Sequence, residues 1–123
     1  YVDRKDACPV GRYTLDANDT GKYVKPQSMG NREGLRSMDL KDASGKGIRI
    51  QTQGNVSFSA LRYTDEDLMN IKHTWELQPR PYVVLHLDAA LRGIGNASCG
   101  PETMLKYQIP QKPMSYKLRI SAL

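Results

Sequence analysis

The chain has 123 residues, enough for one domain or part of one and too few for a multidomain machine. Hydrophobic residues make up 39 % and charged residues 25 %, which excludes a disordered polyelectrolyte, and no apolar run approaches the roughly 20 residues that a membrane-spanning helix needs. The 18 basic and 13 acidic side chains leave a net charge of +5, but Arg4-Lys5 is the one adjacent basic pair, so neither a nucleic-acid nor a membrane partner is indicated.

Residues 1–33 hold few apolar positions and no sustained period, which predicts an extended strap that packs against other structure. The opening has no initiator Met, basic n-region or apolar h-region, so the chain is expected to be a piece of something longer. Cys8 and Cys99 allow at most one disulfide and exclude a cystine framework or a CxxC metal knuckle.

From residue 34 onward, a domain of sandwich strands is expected to run to residue 123. Leu35 to Leu40, the turn Gly45-Lys46-Gly47 and Ile48-Arg49-Ile50-Gln51-Thr52 alternate with the strand period of two and predict a hairpin. Val56 to Tyr63 predicts a third strand with Val56, Phe58 and Ala60 on one side. Thr64 is placed to cap a short helix over Asp65 to Ile71, whose first-turn acids suit the helix dipole and whose apolar face is Leu68, Met69 and Ile71.

Trp75, flanked by Ile71 and Leu77, is expected in the core of a further strand; stacking on a sugar is the alternative. Tyr82 to Asp88 predicts a buried strand, and Arg92 to Thr103 a glycine-rich loop. Leu105 to Ile109 and Tyr116 to Ile120 predict two closing strands joined through Pro110 and Pro113. About seven short strands separated by turn signals predict an all-β, antiparallel β-sandwich.

No complete catalytic set emerges from the residues themselves. Gly93-Ile94-Gly95 follows a strand as a dinucleotide fingerprint does, but the third glycine is missing and Gly100-Pro101 blocks the helix that would hold a pyrophosphate. His73 and His86 lack metal-ligand spacing and read as core or surface histidines, and neither forms a recognisable dyad with a cysteine. Asp65-Glu66-Asp67 could supply a glycosidase carboxylate pair, but three acids at a helix start read as capping charges. The triplets at Asn18, Asn55 and Asn96 match the N-glycosylation pattern, which has meaning in a eukaryotic secretory context.

Five ordered segments stand out end to end: Tyr1-Val2-Asp3-Arg4-Lys5; Tyr23-Val24-Lys25-Pro26-Gln27-Ser28-Met29-Gly30-Asn31-Arg32; Phe58 to Thr64; Leu68 to Leu77 with its His73; and Leu87-Asp88 to Gly95, leading to Ser98-Cys99-Gly100-Pro101 and the closing Tyr107 to Ile120. In this order they resemble the C-terminal domain of the large bacterial β-galactosidases of glycoside hydrolase family 2.

The resemblance implies the second half of a large β-sandwich of the supersandwich, galactose-mutarotase-like type, an incomplete fragment that is inactive alone. A retaining mechanism would use two glutamates of a separate (β/α)8 barrel. The fragment itself would carry no catalytic residue, cofactor or metal ligand, and any divalent cation would sit in the barrel domain. Its partners would be the remaining domains of the same chain, β-galactosides and further copies in a homo-oligomer, in a bacterial cytoplasm or periplasm.

In that family the loop matching Gly93 to Pro101 reaches the sugar pocket and presents a tryptophan. Here Cys99 stands at that position, which removes the flat π-face that stacks on a sugar. Asn96, Ser98 and Cys99 are thus the implied accessory substrate-binding residues, and a galactose-containing polysaccharide is an alternative substrate. The competing class is a non-enzymatic carbohydrate-binding or interaction sandwich, since architecture alone does not fix function.

Overall fold

The computed structural model describes residues 10–18, 29–93 and 95–123. Its strands are β1 (Ser37–Lys41), β2 (Gly47–Gln53), β3 (Ser57–Leu61), β4 (Val84–Asp88) and β5 (Lys117–Ala122), with one helix, α1 (Asp65–Asn70). They form two antiparallel sheets, ordered β1-β2-β5 and β3-β4, and give the all-β sandwich fragment expected from the strand pattern.

The first hairpin turns where expected. The Asp42 carboxylate accepts hydrogen bonds from the Ser44 N–H at 2.8 Å, the Ser44 hydroxyl at 2.7 Å and the Lys46 N–H at 3.1 Å. Gly45 takes a left-handed φ of 83°, a conformation that costs a residue with a Cβ. The ladder then pairs Met38 with Ile50, Leu40 with Ile48 and Ile50 with Ile120.

Because side chains alternate across a strand, one face of this sheet carries Met38, Leu40, Ile48, Ile50, Leu118 and Ile120. The other carries Asp39, Arg49, Gln51 and Arg119. Ile50, on the central strand, is completely buried, while Ile120 on the edge strand is 59 % exposed. On the polar face Arg49 grips Asp39 through two hydrogen bonds of 2.6 and 2.8 Å.

In the second sheet, Phe58, Ala60, Leu85 and Leu87 share one face and Ser57, Ser59, Leu61, His86 and Asp88 the other. Arg32 joins β3 by a reciprocal backbone pair with Phe58, both bonds 2.8 Å, and so carries Asn31 alongside the strand. A small core of Met29, Leu61 and Leu68 forms here, with Tyr63 and Leu77 packed against it.

Helix α1 begins as expected. Thr64 caps it reciprocally: the Asp67 N–H donates to the Thr64 hydroxyl at 3.1 Å and the Thr64 N–H to the Asp67 carboxylate at 3.0 Å. Asp67 also accepts two hydrogen bonds from Arg80, at 2.9 and 2.7 Å, which ties the helix to the segment leading into β4. The first-turn acids therefore include a true cap, as the capping reading holds.

Several local expectations are corrected. Trp75 is not in the core of a strand; it is 75 % exposed on a 3-10 turn, Thr74–Glu76. The cause is Glu76, whose carboxylate gathers the N–H groups of Lys72 at 2.8 Å and His73 at 3.2 Å and curls the backbone out of the extended form. Met69 is exposed, leaving Leu68 as the buried anchor of α1.

Strand β4 is half-buried along its length rather than buried. Leu105 to Ile109 is not a strand: Leu105–Tyr107 forms a 3-10 turn with Leu105 85 % exposed. Its alternating apolar residues face outward because Tyr107 N–H bonds back to Met104 at 2.8 Å while the Tyr107 carbonyl accepts from Gly93 at 2.9 Å. The described residues thus hold five strands where about seven were expected.

Candidate functional site

The loop from Arg92 to Pro101 leaves β4 and is clasped at its base. The buried Thr103 directs its hydroxyl at the carbonyls of Gly95, 2.6 Å away, and Gly93, 3.0 Å away, and Gln108 donates to the Thr103 carbonyl at 2.7 Å. An isolated antiparallel bridge between Asn96 and Glu102 closes the excursion.

Glu102 is the electrostatic latch. Its carboxyl is held below the ordinary range by the Thr103 N–H, which donates at 2.7 Å, and by Arg92, with which it forms an ion pair. Gly95 is required by the fold: its φ is 121°, and a Cβ there would lie 2.7 Å from the Thr103 nitrogen.

The structure brings Asn96, Ser98 and Cys99 together on this one exposed turn. The Asn96 side-chain oxygen accepts the Ser98 N–H at 3.0 Å, Ala97 between them has a φ of 58°, and the Ser98 hydroxyl lies 3.9 Å from the Cys99 sulfur. The Asn96 oxygen is therefore engaged in shaping the turn, and its amide N–H groups and the Ser98 hydroxyl are the groups it offers to a ligand.

Cys99 is an exposed free thiol, and Cys8 lies outside the described residues, as do Ile94 and most of the expected strap. Both histidines are engaged elsewhere: His73 Nδ1 is 3.3 Å from Glu76 and its ring stacks on Trp75 at 4.2 Å, and His86 Nε2 is 3.7 Å from Asp65. Among the described residues no group of three or more His, Cys, Asp or Glu side chains is placed to hold a metal ion.

Sequence reasoning missed a second polar locality, a hollow on the Ser59, Leu61, His86 and Asp88 face of the β3-β4 sheet, into which Asn31 and Asp65 also border. Its signal was present as the alternation Ser57, Ser59 and His86, Asp88 within strands whose other face is apolar. The partners, however, come from three separate stretches of chain.

Comparison with known proteins gives the family. The model of the family described as "Beta galactosidase small chain" matches residues 1–120. A β-galactosidase of Actinobacillus pleuropneumoniae is 32 % identical over 100 % of this chain and 12 % of its own length. One from Alteromonas mediterranea is 32 % identical over 99 % of this chain and 11 % of its own length. One from Staphylococcus xylosus is 25 % identical over 98 % of this chain and 12 % of its own length. The chain thus spans about an eighth of the length of these relatives. By the family match over almost its whole length, the chain belongs to the β-galactosidase small-chain family.

Proposed function

We propose that this chain is the C-terminal, non-catalytic sandwich segment of a retaining β-galactosidase of glycoside hydrolase family 2, an enzyme that hydrolyses terminal β-D-galactosides. The observation that carries the reading is the alignment of essentially the whole chain, at 32 % identity, with a β-galactosidase many times its length. The chemistry would belong to two carboxylates of a barrel elsewhere in the parent protein. The described carboxylates with resolved partners here serve structure: Asp39 holds Arg49, Asp67 holds Arg80 and Glu102 holds Arg92.

In this reading the Arg92 to Pro101 loop lies near the sugar pocket, with Asn96, Ser98 and Cys99 as accessory groups. A clasped base and an exposed polar tip support that role, because a loop that meets substrate must be both held and accessible. The partners are then the remaining domains of the same chain, further copies in a homo-oligomer, and the galactoside itself. In this reading any divalent cation belongs to the barrel.

The parent open reading frame tests the proposal directly. An upstream (β/α)8 barrel carrying two facing glutamates is the expected result. A parent without such a barrel would sink it and favour a non-enzymatic carbohydrate-binding or interaction sandwich.

A further inference from the structure

The hollow on the second sheet is lined by Leu61 and Leu91 and by polar side chains, several of them without a partner among the described residues. It measures about 130 Å³ and opens between β3, β4, the start of α1 and the Asn31 stretch beside β3. Ser59, Tyr63 and Asp88 bring a hydroxyl, a phenol and a carboxylate to its wall, and none of these has a side-chain hydrogen-bond partner among the described residues. Asn31 borders it at 7 % exposure, with its buried Nδ2 left without a partner. A buried amide nitrogen is ordinarily paired within the fold, so the unpartnered Asn31 Nδ2 at the wall of a polar concavity points to a ligand.

The lining chooses the class of ligand. Asp65 and Asp88 exclude an anion, and these two carboxylates with His86 do not converge well enough to hold a metal ion. A purely apolar molecule would leave the polar wall unsatisfied. A neutral polyhydroxylated ring satisfies this wall: adjacent hydroxyls donate to the carboxylates and exchange hydrogen bonds with Ser59 and Tyr63, while Leu61 and Leu91 offer apolar surface to its C–H face. The volume suits the edge of one ring and not an oligosaccharide.

We propose that this hollow is a monosaccharide-binding site, separate from the Asn96 to Cys99 loop tip and held by Ser59, Tyr63 and Asp88. The proposal rests on the galactosidase reading for the choice of probe and for nothing else.

Equilibrium dialysis of labelled D-galactose against the full-length parent protein tests it. Substituting Asp88→Asn together with Ser59→Ala should remove one equivalent of bound galactose per chain. Should that pair disturb folding, Tyr63→Phe, which deletes one hydroxyl and keeps the ring, should weaken the same equivalent by about tenfold. Unchanged stoichiometry and affinity in the folded variants would overturn the proposal, as would a parent in which another stretch of the longer polypeptide fills the hollow. Galactoside turnover, read on the same preparations, reports the proposed activity separately: a parent without turnover that still loses one equivalent on substitution would refute the galactosidase reading and leave the site standing.

Discussion

Cys99 is an exposed free thiol on the Arg92 to Pro101 loop. A thiol at the tip of the loop can fill space and make weak polar contacts but gives a sugar ring no aromatic face. In the full-length protein Cys99→Trp should therefore change KM for β-galactosides by more than about twofold, whereas equal kcat/KM within that margin for Cys99→Trp and Cys99→Ala across several galactosides would separate the loop from the site. Asp39 supplies a second residue-scale test. Arg49 holds its carboxyl at about 2, below the ordinary 3.8, chiefly by hydrogen bonding. With the folded pKa depressed, the unfolded chain takes up the proton first as pH falls. The pair's stabilisation is then whole above about pH 4 and drains away as the pH drops towards about 2. Asp67, lowered by Arg80 and by the Thr64 N–H, acts in the same direction. Urea midpoints for Asp39→Asn should approach those of the parent as the pH is lowered through that window; a difference that stays constant would show that the pair does not carry the acid sensitivity.

At the scale of the element, helix α1 and the Arg92 to Pro101 loop depend on single local devices. Thr64→Ala removes the acceptor for the Asp67 N–H and should cost about 1 kcal/mol in chemical denaturation, with no loss expected if the cap is redundant. In the loop, Gly95→Ala should cost on the order of 1–3 kcal/mol, because it forces a Cβ into a left-handed backbone and against Thr103. Gly100→Ala is the control, since nothing lies within 4 Å of a Cβ there. Equal stability of the two variants would contradict the clasp. These devices were legible in the sequence because they are short-range: Thr64 with Asp67, and the Gly45 turn between alternating strands, state their geometry within a few residues. The 3-10 turns were not legible. Alternation at Leu105, Tyr107 and Ile109 suggests a strand, and the bond from Gly93 to Tyr107 that redirects the chain is a matter of tertiary placement; at Trp75 the apolar flanks Ile71 and Leu77 outweighed the local signal of the Glu76 carboxylate, which bonds N–H groups three and four residues before it.

At the scale of the whole molecule, the β1-β2-β5 sheet is apolar on one face and polar on the other, and its apolar side is open along β5 at Leu118 and Ile120. The two-faced pattern could be read from each strand, but the pairing of β2 with β5 could not, since it joins parts of the chain that no turn connects. The hollow of the second sheet was hidden for the same reason: Asn31, Ser59, Asp65 and Asp88 carry no common spacing. An uncovered apolar edge strand invites association, so the 123-residue chain alone should self-associate in sedimentation, and Ile120→Lys should reduce it. A monomer at high concentration with no dye-binding surface would contradict this. The central claim, that the chain is a non-catalytic part of a galactosidase, meets its most direct test in the hydrolysis of a nitrophenyl β-galactoside by the full-length parent and by the chain alone. The account predicts turnover by the parent and none by the chain; turnover by the chain that a substitution within it abolishes, or a parent without turnover, would contradict it.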